Sequence, residues 1–212
     1  MDREERIAPP EGNPANPAGE AGRAMLARMN AGAHEELAEW GLAHVSFAAG
    51  MEALDIGCGG GANLARLLAR MPQGRAHGID VSPLSVEVSS RFNAQAIEEG
   101  RCTVGLGDAS SLAFEDGSFD VITAFETVYF WLDMPSALRE VVRVLKPGGV
   151  FLVCNEANGS RAADYELAAA IEGMTMYTAL DLRALMEEAG LAVEIVDDEQ
   201  DTGRVCVLAR RR

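Results

Sequence analysis

Long apolar runs and dense basic clusters are both scarce in this sequence. No apolar run among its 212 residues approaches the ~18 needed to cross a bilayer, so we expect no membrane partner. Lysine and arginine total 18 against 33 aspartates and glutamates, giving a net charge of −15, and basic residues cluster only at 210–212. Because such an acidic field repels phosphates, we expect no nucleic-acid partner.

Cysteine is also sparse and has no recognisable pattern. The four cysteines, Cys58, Cys102, Cys154 and Cys206, are far apart and show neither CxxC nor Cys/His metal spacing. We therefore expect buried, reduced thiols and no metal site. The first twenty residues contain prolines and acids where a secretory signal needs an apolar core, which predicts a cytoplasmic protein.

Strand and helix patterns alternate after Gly50. We predict strands at 52–56, 75–80, 102–106, 119–125 and 149–154, with helices at 61–71, 83–99 and 135–145. This alternation is typical of a parallel sheet with helices on both faces. A last helix, capped by Thr178 and ended by Gly190, precedes a β-hairpin. The predicted fold is α/β: a doubly wound, mainly parallel seven-stranded sheet with an antiparallel C-terminal hairpin strand.

The stretch ALDIGCGGGANLARLL, residues 53–68, joins a strand to a helix through four glycines. In a doubly wound sheet, ligands bind beyond the carboxyl ends of the strands, and glycine lets the main chain approach a ligand without a Cβ. Gly57, Gly59 and Ala62 also fit the G-x-G-x-x-A dinucleotide fingerprint. The loop alone therefore permits either a dinucleotide or a nucleoside such as S-adenosylmethionine.

Three acids near the predicted strand ends discriminate between these ligands. Asp55 lies two positions before the first glycine, where a carboxylate would face an ammonium group and would repel a pyrophosphate. Asp80 ends the second strand, where an acid can bind both ribose hydroxyls. Asp108 follows the third strand, where it can accept from an adenine amino group, with the Ala109 backbone beside it. Together, these three acids favour a nucleoside over a dinucleotide as the ligand.

The segments LDIGCGGG, GIDVSP, GDASSLAFEDGSFDVI and REVVRVLKPGGVFLV resemble, in this order, the class I S-adenosylmethionine-dependent methyltransferases across about residues 50–155. The resemblance implies a Rossmann-like methyltransferase fold and S-adenosylmethionine as cofactor, with S-adenosylhomocysteine as product. A looser likeness at both ends of the chain is to a subgroup of small bacterial methyltransferases. The expected cofactor-site positions, from the resemblance and the strand ends, are Asp55, Gly57, Cys58, Gly59, Asp80, Val81, Asp108, Ala109 and Phe125.

One methyltransferase domain is expected over residues 21–212, after a flexible arm at 1–20 that is rich in proline, glycine, asparagine and charge. Within the domain, 21–48 is a short helical cap or lid, and 50–155 is the cofactor-binding core. Residues 156–212 supply a second lid segment, a helix and the terminal hairpin.

Methyl transfer from a sulfonium needs alignment, and it needs a base only if the acceptor arrives protonated. Glu126, at the end of the fourth strand, is the candidate base, and Tyr129 is a second catalytic candidate. The residues expected at the acceptor or in the lid are Asn30, His34, Trp131 and Tyr177. The short helical cap over the cofactor-binding core and the acidic net charge favour a small-molecule acceptor. We expect a monomer or a homodimer.

Two alternatives stay open at this point. A nicotinamide-dependent reductase would explain the glycines and Asp80 but not Asp55, Asp108 or the terminal hairpin, and the sequence lacks a Tyr-x-x-x-Lys pair. A non-catalytic protein that binds S-adenosylmethionine is also compatible, because methyl transfer requires no diagnostic side chain.

Overall fold

Seven strands form one sheet in a computed structural model that describes residues 13–212. Their bounds are β1 Glu52–Ile56, β2 Arg75–Asp80, β3 Cys102–Leu106, β4 Phe119–Phe125, β5 Leu145–Asn155, β6 Leu191–Asp198 and β7 Val205–Arg211. The strand order is β3-β2-β1-β4-β5-β7-β6, and β7 runs antiparallel to both of its neighbours. The predicted fold class is confirmed.

Eight α-helices connect or flank these strands within the described residues. They are α1 Gly19–Arg28, α2 Glu35–Leu42, α3 Ala62–Arg70, α4 Pro83–Phe92, α5 Ala94–Glu98, α6 Met134–Val144, α7 Ala162–Ala170 and α8 Ala179–Glu188. A π-helical turn, Met29–Ala33, separates α1 from α2, and a 3₁₀ turn, Val128–Phe130, follows β4.

Two predicted elements differ from the structure by more than one residue. The helix expected over 83–99 is broken at Asn93, whose side-chain amide donates to the carbonyls of Ser89 and Gly61, each at 3.0 Å. Those side-chain bonds compete with regular helix geometry and bring the end of α4 against the glycine loop. Strand β5 begins at Leu145, before the expected 149, because Leu145 already pairs with Phe119.

Apolar side chains pack on both faces of the sheet. On one face, α6 and α8 bury Leu138, Val141 and Leu182, and on the other α3 buries Leu64 and Leu67. Each fully buried leucine contributes about 1.5–3 kcal/mol relative to leaving it in water. With both faces covered, the carboxyl edge of the parallel strands is the natural place for a site.

The chain before the sheet is attached to its carboxyl edge. Residues 1–12 of the expected flexible arm lie outside the described residues, and α1 begins at Gly19, inside the stretch assigned to the arm. The Pro17 carbonyl accepts a hydrogen bond of 2.7 Å from Ser82 Oγ, and Arg23 of α1 pairs with Glu87 of α4. Helix α1 is thereby held beside the end of β2.

All four cysteines are free and buried. Among residues 13–212, no helix is both long enough and apolar enough to cross a membrane. Nor do the described side chains include a group of three or more His, Cys, Asp or Glu residues able to hold a metal ion.

Candidate active site

A cavity of about 790 Å³ lies at the carboxyl ends of the parallel strands. Its floor includes the residues that directly follow four of them: Gly57 after β1, Val81 after β2, Gly107 after β3 and Glu126 after β4. Its cover comes from α1 with the following π-helical turn and from α7 with the turn after it. Both segments predicted as lids therefore contribute to one enclosure.

Glycine is required where the first loop turns along the cavity. Gly57 has φ +74°, and its N–H donates to the Ile79 carbonyl at 2.8 Å. A Cβ at Gly57 would lie 2.2 Å from Thr127 Oγ1, so no larger residue fits. Gly57 and Gly59 both line the cavity, and they leave main chain exposed to a ligand there.

Asp80 is the most constrained acid of the cavity wall. It is 7% exposed, and its two carboxylate oxygens accept from the N–H groups of Gly59 and Ser82, each at 2.9 Å. Burial raises the pKa of this carboxyl above its ordinary value. Each oxygen keeps a further acceptor site. Asp80 can therefore bind two hydroxyls, as a ribose requires.

Val81, Asp108, Ala109 and Phe125, which the sequence predicts at the cofactor site, also line the cavity. Asp108 Oδ1 accepts from the Ser110 N–H at 2.7 Å and from its hydroxyl at 2.6 Å, which forms an Asx turn. Within the described chain, its Oδ2 makes no hydrogen bond. Ala109 is 7% exposed and belongs to the hydrophobic core. The wall beyond β3 thus presents one free carboxylate oxygen beside an apolar surface.

Asp55 and Cys58 lie behind the glycine loop and do not line the cavity. Asp55 is 2% exposed and accepts a hydrogen bond of 2.6 Å from Thr123 Oγ1. Burial raises the pKa of its carboxyl to about 7. The Cys58 thiol points toward Ser89 Oγ at 3.8 Å, and burial raises its pKa. Their direct contact with a cofactor stays a prediction.

Glu126 turns into the cavity from a strained backbone position. Among the described residues it is the one non-glycine with positive φ, +56°. Its Oε1 accepts from the Glu156 N–H at 2.5 Å and lies 3.4 Å from the Tyr129 hydroxyl. Burial raises the pKa of this carboxyl to about 8. A strained backbone position that places a half-buried carboxylate at a cavity is typical of functional sites.

Tyr129 lies beside Glu126, but its hydroxyl already has partners in the main chain. The side chain is 2% exposed, and the hydroxyl accepts from the Ala157 N–H at 3.1 Å and lies 3.2 Å from the Ala157 carbonyl. Burial raises the pKa of the phenol further above its usual range. These contacts suit a residue that holds Glu126 and the chain after β5 in place.

The four residues predicted at the acceptor or lid separate into two pairs. His34 and Trp131 line the cavity, His34 with its Nε2 4.0 Å from Glu156 Oε2. Asn30 and Tyr177 do not line it. The Asn30 amide instead donates to the Gly60 carbonyl at 2.8 Å, and Tyr177, which precedes α8, packs against the core.

Much of the apolar lining was not predicted from the sequence. These residues are Met25, Leu26, Met29, Phe130, Leu132, Leu167, Ile171 and Met174. The spacing of Met25 and Met29 indicated a helix, but nothing in it showed which surface that helix covers. Leu132 and Leu167 stand in short or exposed segments, where apolar periodicity carries no signal.

Comparison with known proteins identifies the family. Residues 54–153 match the family described as a methyltransferase domain. The chain is 33% identical over 202 residues to the methyltransferase GfsG of Streptomyces halstedii, across 91% of this chain and 67% of that protein. The chain belongs to the class I S-adenosylmethionine-dependent methyltransferases. It is thus an enzyme, and its cofactor is S-adenosylmethionine, so the nicotinamide and non-catalytic alternatives are set aside.

Solved structures share the methyltransferase fold at low identity. An S-adenosylmethionine-dependent methyltransferase from Aquifex aeolicus has 19% identity and a TM-score of 0.74, over 89% of this chain and 98% of that one. A geranyl diphosphate C-methyltransferase from Streptomyces coelicolor A3(2), crystallised with Mg²⁺, geranyl diphosphate and S-adenosylhomocysteine, has 15% identity and a TM-score of 0.75, over 97% and 91%. The methyltransferase spans 54%, 59% and 66% of the next three curated relatives it matches.

Replacing Asp55 by asparagine is expected to stabilise the enzyme at alkaline pH. A carboxyl whose pKa is raised to about 7 in the folded state favours folding below its ordinary pKa and loses that contribution as pH rises through 7. The amide that replaces the carboxyl does not ionise. The unfolding free energy of the variant relative to wild type should rise by roughly 2–4 kcal/mol between pH 4.5 and 8, measured by urea denaturation. A pH-independent difference would contradict the burial argument.

The contact between Asn30 and the glycine loop predicts non-additive substitutions. A Cβ at Gly60 would lie 2.3 Å from Asn30 Oδ1, so Gly60→Ala must displace the amide that bonds the Gly60 carbonyl. Gly60→Ala and Asn30→Ala should each cost about 1 kcal/mol of unfolding free energy. The double variant should cost no more than the worse single variant, because both lose the same bond. Additive losses in urea denaturation would show that the two residues act independently.

Proposed function

We propose that this methyltransferase transfers the methyl group of S-adenosylmethionine to a hydroxyl oxygen of a small-molecule acceptor, with Glu126 as general base. The observation that carries the proposal is the Glu126 carboxyl, which lines the cavity with its pKa raised to about 8. A hydroxyl must lose its proton as the oxygen–carbon bond forms, and a base with a pKa near the working pH serves this best.

The residues of the cavity wall fit the cofactor. Asp80 would accept both ribose hydroxyls, and the wall at Val81 and Ala109 would face the adenine, whose amino group would donate to Asp108 Oδ2. Gly57 and Gly59, which both line the cavity, would bring main chain to the amino-acid end of the cofactor. When bound there, the cofactor supplies an activated methyl group on a sulfonium.

The chain positions the base and limits access of water. The Glu156 N–H donates to Oε1 of Glu126, and the Tyr129 hydroxyl lies 3.4 Å from the same oxygen. The second carboxylate oxygen of Glu126 is therefore available to take the acceptor proton. Apolar side chains of the π-helical turn and of α7, such as Met29 and Leu167, close the enclosure above it. Alignment and exclusion of water are the protein's main contributions to an in-line displacement.

A small-molecule acceptor is supported by the cavity itself. Its volume of about 790 Å³ lies within the range of about 300–1,000 Å³ for sites that enclose small ligands. A cytoplasmic location belongs to the same proposal, supported by four free, buried cysteines.

Matched aromatic acceptors test the acceptor atom. Release of S-adenosylhomocysteine would be measured for one set of ring systems carrying a hydroxyl, an amino or a methoxy group at the same position. The proposal predicts turnover of hydroxyl compounds by wild type and at least a 100-fold loss with Glu126→Gln. Turnover of the amines that is equal in both proteins would overturn the role of Glu126 and favour a nucleophile that arrives unprotonated.

A further inference from the structure

The part of the cavity beyond Glu126 has a largely apolar wall. We define the acceptor subsite as six side chains: Phe130, Trp131, Leu132, Leu167, Ile171 and Met174. The first three follow β4, and the others belong to α7 and the turn after it. Trp131 is held in place by stacking on Phe151 of the core, with the ring centroids 6.1 Å apart. One wall of the acceptor subsite is therefore fixed by the sheet.

The opposite wall and the mouth of the acceptor subsite expose apolar surface to water. Leu132 is 94% exposed and Leu167 is 47% exposed, although both line the cavity. Of the nine residues of α7, only Asp164 is buried, and it pairs with Arg161 at 2.8 Å. A ligand that covers these exposed leucines removes apolar surface from water, which stabilises the complex.

The charges around the acceptor subsite disfavour an anionic group. Asp133 and Glu172 line this part of the enclosure, and Asp133 also caps α6 by accepting from the Ser136 N–H at 3.0 Å. Among the described residues, the basic side chains that line the whole cavity are Arg28 and His34, both from the N-terminal cover. A diphosphate placed beside these carboxylates would be repelled.

We propose that the acceptor is an uncharged molecule with an extended hydrocarbon skeleton, which lies in the acceptor subsite and extends over Leu132 and Leu167, and that phosphorylated acceptors are excluded. This inference rests on the proposed function of the same cavity. It separates this enzyme from its structural neighbour that was crystallised with geranyl diphosphate, although the two share a fold.

The acceptor subsite can be tested with a neutral apolar fluorophore, N-phenyl-1-naphthylamine, added to protein saturated with S-adenosylhomocysteine. The variants are Leu132→Ser with Leu167→Ser, and the control is Leu180→Ser, since Leu180 is 76% exposed on α8 and lies outside the cavity. We expect the double variant to bind the fluorophore at least tenfold more weakly than wild type. The control should bind as wild type does.

Two competitors that share one carbon skeleton but differ in charge test whether the acceptor subsite excludes phosphorylated compounds. Geraniol should displace the fluorophore at concentrations at least tenfold lower than geranyl diphosphate, with or without Mg²⁺. Equal displacement by geranyl diphosphate, or unchanged fluorophore binding by the double variant, would overturn the inference. Calorimetry with S-adenosylhomocysteine distinguishes failure of the acceptor subsite from failure of the proposed function. Wild type that binds it but fails these tests refutes the acceptor subsite alone, whereas wild type that does not bind it refutes the proposed function.

Discussion

Asp80→Asn is expected to lower the affinity for S-adenosylhomocysteine at least 100-fold. Hydrogen bonds to a charged group contribute about 1.5–3 kcal/mol each, and the variant weakens two of them to the ribose. It also converts the acceptor for either the Gly59 or the Ser82 N–H into an amide donor, which disturbs the glycine loop itself. Isothermal titration calorimetry at pH 7.5 measures the change.

Asp116→Asn is the matched control for this measurement. Asp116 is exposed, pairs with Arg143 at 2.8 Å and does not line the cavity, so its removal should leave cofactor affinity unchanged. Thermal unfolding of both variants establishes that they are folded. A folded Asp80→Asn protein with an affinity within threefold of wild type would show that the ribose is bound elsewhere.

Glu126→Gln is expected to lower kcat by 10²- to 10⁴-fold, the range typical of a lost general base. In wild type, only the deprotonated carboxyl accepts a proton, and its pKa is raised to about 8. The logarithm of kcat should therefore rise by about one per pH unit below 8 and level off above it. The variant should lose this dependence, which a pH series of initial rates measures at saturating acceptor.

Glu126→Gly separates loss of the base from loss of the fold. Because Glu126 has φ +56°, glycine relieves backbone strain and should preserve or slightly raise the unfolding free energy. The variant should nevertheless be as inactive as Glu126→Gln. Activity within threefold of wild type in either variant would mean that the acceptor needs no base or uses another one.

Much of the fold could be predicted because each strand is a short apolar run with clear limits. Strands β1 to β4 begin and end where the sequence placed them, and Thr178 caps α8 as predicted, accepting from the Asp181 N–H at 3.2 Å. The break at Asn93 was missed because it depends on a tertiary bond to the Gly61 carbonyl. A local sequence pattern cannot indicate a hydrogen-bond partner that lies 32 positions away in the chain.

The same distinction separates predicted from missed site residues. Gly57, Asp80 and Asp108 were placed at the cavity because the carboxyl ends of parallel strands lie at one edge. Asp55 satisfied the same rule by position, but successive strand residues point to opposite sides, and it is Ile56 that lines the cavity. Leu167 was missed because its contact with the site depends on how α7 is placed over the sheet.

A crystal structure of the enzyme with S-adenosylhomocysteine tests the account most directly. Both ribose hydroxyls should lie within hydrogen-bond distance of the Asp80 carboxylate, with the adenine beside Val81 and Ala109. The sulfur should face Glu126, with the acceptor subsite beyond it. A ribose bound away from Asp80, or a sulfur separated from Glu126 by other side chains, would contradict the central claim that one cavity aligns cofactor, base and acceptor.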